Sequence, residues 1–310
     1  MGKTFLKMKG SPKSLFLIIK MGAPQYQLRD WAVVDYRLWN PVTDFELFRG
    51  PAFNLGEPYV SFLGAAQTFG CYVKKPFPAL LADKSQINSL NFSKGGVGPD
   101  WYTGHQCAPL FDYINKSKFC IIQIMAAKSE LMKLSKKLSL WHMSRSLWRQ
   151  TPPKDIKKEI SKAQQMWVQD YISLIQKIKV PIYLFDFSKR DFSFKEDIEA
   201  FKSGEKNFWE GITGSFPNFV CNEMLDQIKS EVNGYYEYKN DIGLPQKLKN
   251  RFNGCEHHRS VDMPYIIRNQ LDRREFNPNK VSTVNSYYPS PEMHLGAYEV
   301  LINSEPYKSL

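Results

Sequence analysis

Hydrophobic residues in this chain gather into five short runs: YVSFL at 59–63, NSLNF at 88–92, FCIIQIM at 119–125, IYLFDF at 182–187 and YYEY at 235–238. Each run is strand-length and partly β-branched or aromatic, as strands buried on both faces of a parallel sheet are. Helix-length segments separate them. These fall at 101–115, at 128–148 (basic and amphipathic), at 155–179 after Thr151, Pro152 and Pro153, and at 222–231, with a last helix over 289–302. The Pro pair fits the first turn of a helix. Strands alternating with helices predict βαβ units with right-handed crossovers. Five central strands with helices on both faces predict an α/β fold: a flavodoxin-like three-layer sandwich whose switch point lies between the first and third strands.

The pattern is looser at the start of the chain. Residues 1–27 read as a basic extension, and residues 28–47, with Trp31, Val33, Val34, Tyr36, Leu38 and Trp39, read as a cover for one edge or face of the sheet. The expected organisation is therefore an extension over 1–47 and one α/β domain over 48–310, with insertions around 128–160 and 190–220. Residues 247–272 show no readable period, and no internal repeat is present.

Composition adds a partner class. The 310 residues carry a formal charge of +11 and 14% aromatic residues. The charge is compatible with a solvated basic face or with an anionic partner, either a small-molecule donor or a glycan. Nucleic acid is not expected, because no finger, homeodomain or RNP pattern occurs. Five scattered cysteines without a CxxC pair fit a reducing compartment. The apolar run 14–19 is cut by Lys20 and lacks a small-residue cleavage site, so no signal peptide is expected. No run reaches membrane-span length, and the cytoplasm is the expected location.

Candidate chemistry sits where strands end. The first run leads into Gly64, Ala65, Ala66, Gln67, Thr68, Phe69 and Gly70; the second leads into a turn containing Gly95, Gly96 and Gly98. Turns of this kind present backbone amides that can hold an anion or a developing oxyanion, or they serve only chain geometry. Neither the P-loop nor the dinucleotide fingerprint is present. His294 follows a turn at the start of the last helix, where it can act as a general base with Glu292 beside it, or serve as a cap. Lys128 and Ser129 after the third strand, and Lys189 and Arg190 after the fourth, are candidates for anion binding. Cys255, Glu256, His257 and His258 hint at a metal, but adjacent His side chains diverge and no second cluster supports them, so no metal site is expected. The sequence identifies no cofactor.

The order strand, GxxxTxG turn, helix, strand, Gly turn, with a His before the last helix, resembles the SGNH hydrolase and acyltransferase superfamily. A closer resemblance is to the bacterial family domain of unknown function 6473. It is carried by Phe48 to Pro51, Phe62 to Gly70, Lys75 to Leu80, Gln123 to Met125, Val180 to Arg190, Phe216 and Pro217, Gly243 to Gln246, and Tyr288 to His294. The superfamily resemblance implies a Ser nucleophile where this chain has Ala66, and an Asp where it has Pro291. Its third-block Asn has no counterpart near 126–129. Loss of the nucleophile removes about a million-fold in turnover from a triad enzyme, so an ordinary Ser esterase is not expected. Thr68 is the nearest hydroxyl, and Cys71 lies close by.

Two functions follow. The first is a transferase modifying a hydroxyl of a polysaccharide or glycoconjugate by acyl or sulfuryl transfer. In it His294 is the base, Glu292 orients it, and the amides of the two glycine turns hold the donor. The second is a non-catalytic glycan-binding or assembly protein that retains the pocket.

Overall fold

A computed structural model describes residues 26–27, 29–42, 45–127, 150–189, 198–205, 216–256 and 284–310. Five parallel strands form the central sheet: β1 (Tyr59–Leu63), β2 (Asn88–Asn91), β3 (Cys120–Gln123), β4 (Ile182–Ser188) and β5 (Gly234–Lys239), in the order β2-β1-β3-β4-β5. The α/β fold expected from the hydrophobic runs is present, and its strand order places the switch point between β1 and β3.

Each core strand feeds two apolar layers, because successive side chains point to opposite faces. Tyr59, Leu63, Cys120, Ile122, Ile182 and Leu184 enter one layer. Val60, Phe62, Ile121, Tyr183, Phe185 and Phe187 enter the other. The 25-residue helix Pro153–Lys177 lies in the first layer, with Ile156, Ile160, Ala163, Trp167, Tyr171 and Leu174 buried at helical spacing. It also secures the end of β3: Trp167 Nε1 donates to Met125 O, and Tyr171 Oη accepts from Met125 N. Helices Phe77–Ser85 and Pro291–Ile302 supply Phe77, Leu81, Met293, Ala297 and Leu301 to the second layer.

Two elements differ from the sequence expectation. The single helix expected over 101–115 is three pieces: Pro99–Thr103, a 3₁₀ turn at His105–Cys107, and Ala108–Ile114. Gly104 is extended (ψ 146°), and Pro109 begins the last piece because it cannot continue a helix. After β1 the chain makes one helical turn, Ala66–Phe69, which Gly70 ends in the left-handed region at φ 79°. The expected helix over 128–148 lies outside the described residues.

The segment before β1 pairs through Trp39 with Phe48 and through Arg49 with Asn91. Val34 and Tyr36 pack with Ala66, Phe69 and Cys71. Among the described residues no helix is long and apolar enough to cross a membrane, and no three His, Cys, Asp or Glu side chains are grouped to hold a metal ion.

Candidate functional site

The carboxyl ends of β1, β2 and β3 bring the two glycine turns together. Lys94 N donates to Gly64 O at 3.0 Å. Tyr102 Oη accepts from Gly64 N at 3.0 Å and lies 2.8 Å from Gly64 O and 3.2 Å from Phe92 O. Glycine at 95 permits close packing: a Cβ there would fall 2.0 Å from the Tyr26 ring. Gly96 has φ +80°, and Gly98 is the extended residue before the helix Pro99–Thr103.

Gln123, at the end of β3, fills the first turn from below. Its Oε1 accepts from Ala65 N at 3.0 Å, Thr68 N at 3.2 Å and Thr68 Oγ1 at 2.7 Å. A Cβ on Gly64 would fall 2.6 Å from that oxygen, so glycine here makes room for the carboxamide. The chain's own carbonyl thus occupies two of the amides proposed to hold an anion, and the Thr68 hydroxyl as well. Ala66, Gln67 and Thr68 are all buried. Cys71 is buried too, and burial pushes its thiol up to about 12, so it carries no thiolate at neutral pH.

His294 lies against the rings of Phe77 and Phe187. It is 0% exposed, with its ring stacked on Phe77 (5.8 Å) and edge-on to Phe187 (5.0 Å). Phe77 N donates to its Nδ1 at 3.1 Å, which leaves the ring proton on Nε2. Burial, then the charge of Arg49, lowers its pKa to about 3. A base held in this way is neutral, but its acceptor nitrogen is already used. Glu292 is exposed on the same helix and makes no bond to His294 among the described residues. Lys189 Nζ donates to Ser286 O. Lys128, Ser129, Arg190, His257 and His258 lie outside the described residues.

Three polar residues of this region do not stand out as site candidates in the sequence. Arg49 is 2% exposed; its Nη2 donates to Val73 O (2.8 Å) and Lys74 O (3.0 Å), and its guanidinium lies over Tyr36. In the sequence it is the lone cation of the turn-forming stretch 48–51, one of the segments that carry the family resemblance. Gln123 is the polar residue in the apolar run FCIIQIM. Asp186, likewise the polar residue in IYLFDF, is 1% exposed with Lys239 Nζ at 3.4 Å. Burial is the main cause raising its carboxyl to about 6.

An aromatic group borders the first turn. The Arg29 guanidinium lies 4.5, 5.1 and 5.8 Å from the ring centres of Tyr26, Tyr72 and Tyr288, and its Nε and Nη2 each meet an Asp30 oxygen at 2.6 Å. Tyr36 Oη donates to Asp30 at 2.6 Å and accepts from Tyr72 N at 3.0 Å. Tyr287, in edge contact with Tyr288, is 47% exposed.

The fold and this rim define an α/β protein with a polar, aromatic-edged end to its sheet. Residues 27–132 match the family described as Domain of unknown function (DUF6473). No curated protein matches the chain. Solved structures align over most of it at low identity. A putative SGNH hydrolase from Slackia heliotrinireducens is 10% identical, covering 79% of this chain and 97% of its own, with a TM-score of 0.39. A family two carbohydrate esterase from Clostridium thermocellum, solved with cellohexaose, is 10% identical over 83% of this chain and 65% of its own, at 0.37. A mutant of Axe2, an acetyl-xylooligosaccharide esterase from Geobacillus stearothermophilus, is 11% identical over 80% and 93%, at 0.38. Likeness this distant carries nothing about activity.

Proposed function

We propose that the protein binds a glycan at the carboxyl rim of its sheet without turning it over. The observation that carries this reading is the Gln123 carboxamide seated on the Ala65 and Thr68 amides, where an acyl- or sulfuryl-transfer enzyme needs open donors aimed at developing charge. Three further features agree with it. Ala66 has no hydroxyl, His294 Nδ1 is engaged by Phe77, and the Cys71 thiol stays protonated. The aromatic border formed by Tyr26, Tyr72, Tyr287 and Tyr288 supports a ligand with both apolar faces and polar edges, as a sugar ring has.

Calorimetric titration with a panel of neutral and acidic oligosaccharides tests this. The expected result is saturable binding that Tyr287→Ala weakens about tenfold, with aryl acetate hydrolysis and acyl transfer to the bound sugar at the buffer rate. Turnover above that rate which disappears in His294→Gln overturns the proposal and restores the transferase. So does the absence of saturable binding across the panel.

A further inference from the structure

At the outer edge of the sheet the backbone of one residue, Ser89, is left unpaired. β2 is the end strand, beside β1. Asn88 N donates to Pro58 O at 3.3 Å and Phe92 N to Phe62 O at 2.9 Å, so these alternate residues of β2 face β1. The residues between them turn their N–H and C=O groups outward. Among those, Asn91 is covered by its bridge to Arg49, and Ile87 N donates to Ser85 Oγ at 3.2 Å. Ser89 lies between the two, and neither its N–H nor its C=O meets a partner among the described residues.

The covering segment stops short of Ser89 for a chemical reason. After the bridge at Arg49, Gly50 N donates to Tyr36 O at 3.2 Å rather than to β2. The next residue is Pro51, which has no N–H to continue the pairing. What remains is a cleft of about 70 Å³, lined by Ser89, by Pro51, Pro76 and Pro78, and by Ala79 and Ala82 of the helix Phe77–Ser85. The Ser89 hydroxyl is turned to Pro78 O at 2.6 Å, so this residue offers the cleft its backbone. The space is far below the roughly 300 Å³ or more that encloses a whole small-molecule ligand, so it takes one group of a ligand. A peptide strand is a poor occupant, because strand addition uses a run of edge groups and here only one residue is open.

From this geometry we propose that the cleft binds the primary carboxamide of a small ligand. Ser89 N–H donates to the carboxamide oxygen, and Ser89 C=O accepts from its NH₂ group. The N–H and C=O of one strand residue point the same way, so a partner must carry an acceptor and a donor side by side on one edge. A primary carboxamide does so. A trans secondary amide holds its N–H and C=O on opposite edges and meets only one of the two. The proline and alanine walls suit the flat, apolar faces of such a group. The site is independent of the glycan reading: none of Tyr26, Tyr72, Tyr287 and Tyr288 lines the cleft.

Nicotinamide and N-methylnicotinamide, titrated into the whole protein while the backbone amide resonance of Ser89 is followed, test the proposal. Nicotinamide is expected to move that resonance along a saturable curve and to slow hydrogen exchange of the Ser89 amide. N-methylnicotinamide, which lacks the paired edge, is expected to bind about tenfold more weakly or worse. Ala79→Leu, which fills part of the cleft, is expected to weaken nicotinamide by about tenfold or more. If Ala79→Leu does not fold, the two ligands on the wild-type protein decide. An unmoved Ser89 resonance, or equal curves for the two ligands, overturns the site and leaves this edge to water. So does a Ser89 amide already protected from exchange in the free protein. Adenine, whose ring edge also sets a donor beside an acceptor, overturns the carboxamide assignment if it binds more tightly than nicotinamide at the same resonance.

Discussion

Replacing His294 by Gln isolates the energetic effect of burying an imidazole. In the folded protein the ring titrates at about 3, with burial as the first cause and Arg49 as the second, against an ordinary value of 6.5. The unfolded chain therefore binds a proton as the pH falls below about 6.5 while the native state does not, and stability declines with acidification. Each pH unit in this window removes about 1.4 kcal/mol. From about pH 6.5 to pH 5 the loss is about 2 kcal/mol, and it levels off at about 5 kcal/mol below pH 3. Gln has no such proton and still offers an oxygen to the Phe77 amide. It loses ring packing against Phe77 and Phe187, but equally at every pH. Urea unfolding at about pH 7.5 and pH 5, in buffers free of sulfate, phosphate and carboxylate, should give a difference between the two proteins that shrinks by about 2 kcal/mol on acidification. Parallel stability profiles, within about 0.5 kcal/mol, would mean a solvated imidazole and refute the buried placement.

Asp186 titrates in the opposite sense. Its folded carboxyl is raised to about 6 from 3.8, mainly by burial, so its ionisation weakens the native state as pH rises through that interval. Asp186→Asn should stabilise by up to about 3 kcal/mol at pH 7.5 and by little at pH 4, read by thermal unfolding; equal shifts at both values would contradict this. Gln123→Ala removes the acceptor for two buried amides and one hydroxyl, and should cost about 3 kcal/mol or more in urea, while Gln123→Glu keeps the acceptor. A loss under about 1 kcal/mol in Gln123→Ala would show that the turn does not depend on the carboxamide.

The sheet was legible because each strand declares itself locally. YVSFL, CIIQ and IYLFDFS are continuous apolar runs with turn residues at their ends, and their alternate side chains feed opposite layers. The helix expected over 101–115 was misread where Gly104 and Pro109 interrupt an otherwise helical composition. The glycine turns were visible as turns, but what fills them was not. Gln123 reaches Ala65 across 58 residues, and Tyr26 meets Gly95 from the far side of β1 and β2. The burial of His294 is legible in the sequence: it shares a stripe with Met293, Ala297 and Leu301, the spacing of a buried helix face. That stripe outweighs proximity to a turn.

Tyr36 lies early in the chain, and its hydroxyl joins Asp30 to the backbone of Tyr72, while Tyr288 closes over Tyr72 and Arg29 from near the other end. During synthesis at about 5–20 residues per second, Tyr288 leaves the ribosome some tens of seconds after Tyr36. For that interval the growing chain lacks the Tyr288 ring that packs on Tyr72 and Arg29 in the folded protein. The arrival of Tyr288 is thus also the moment when this end of the molecule can first be sealed.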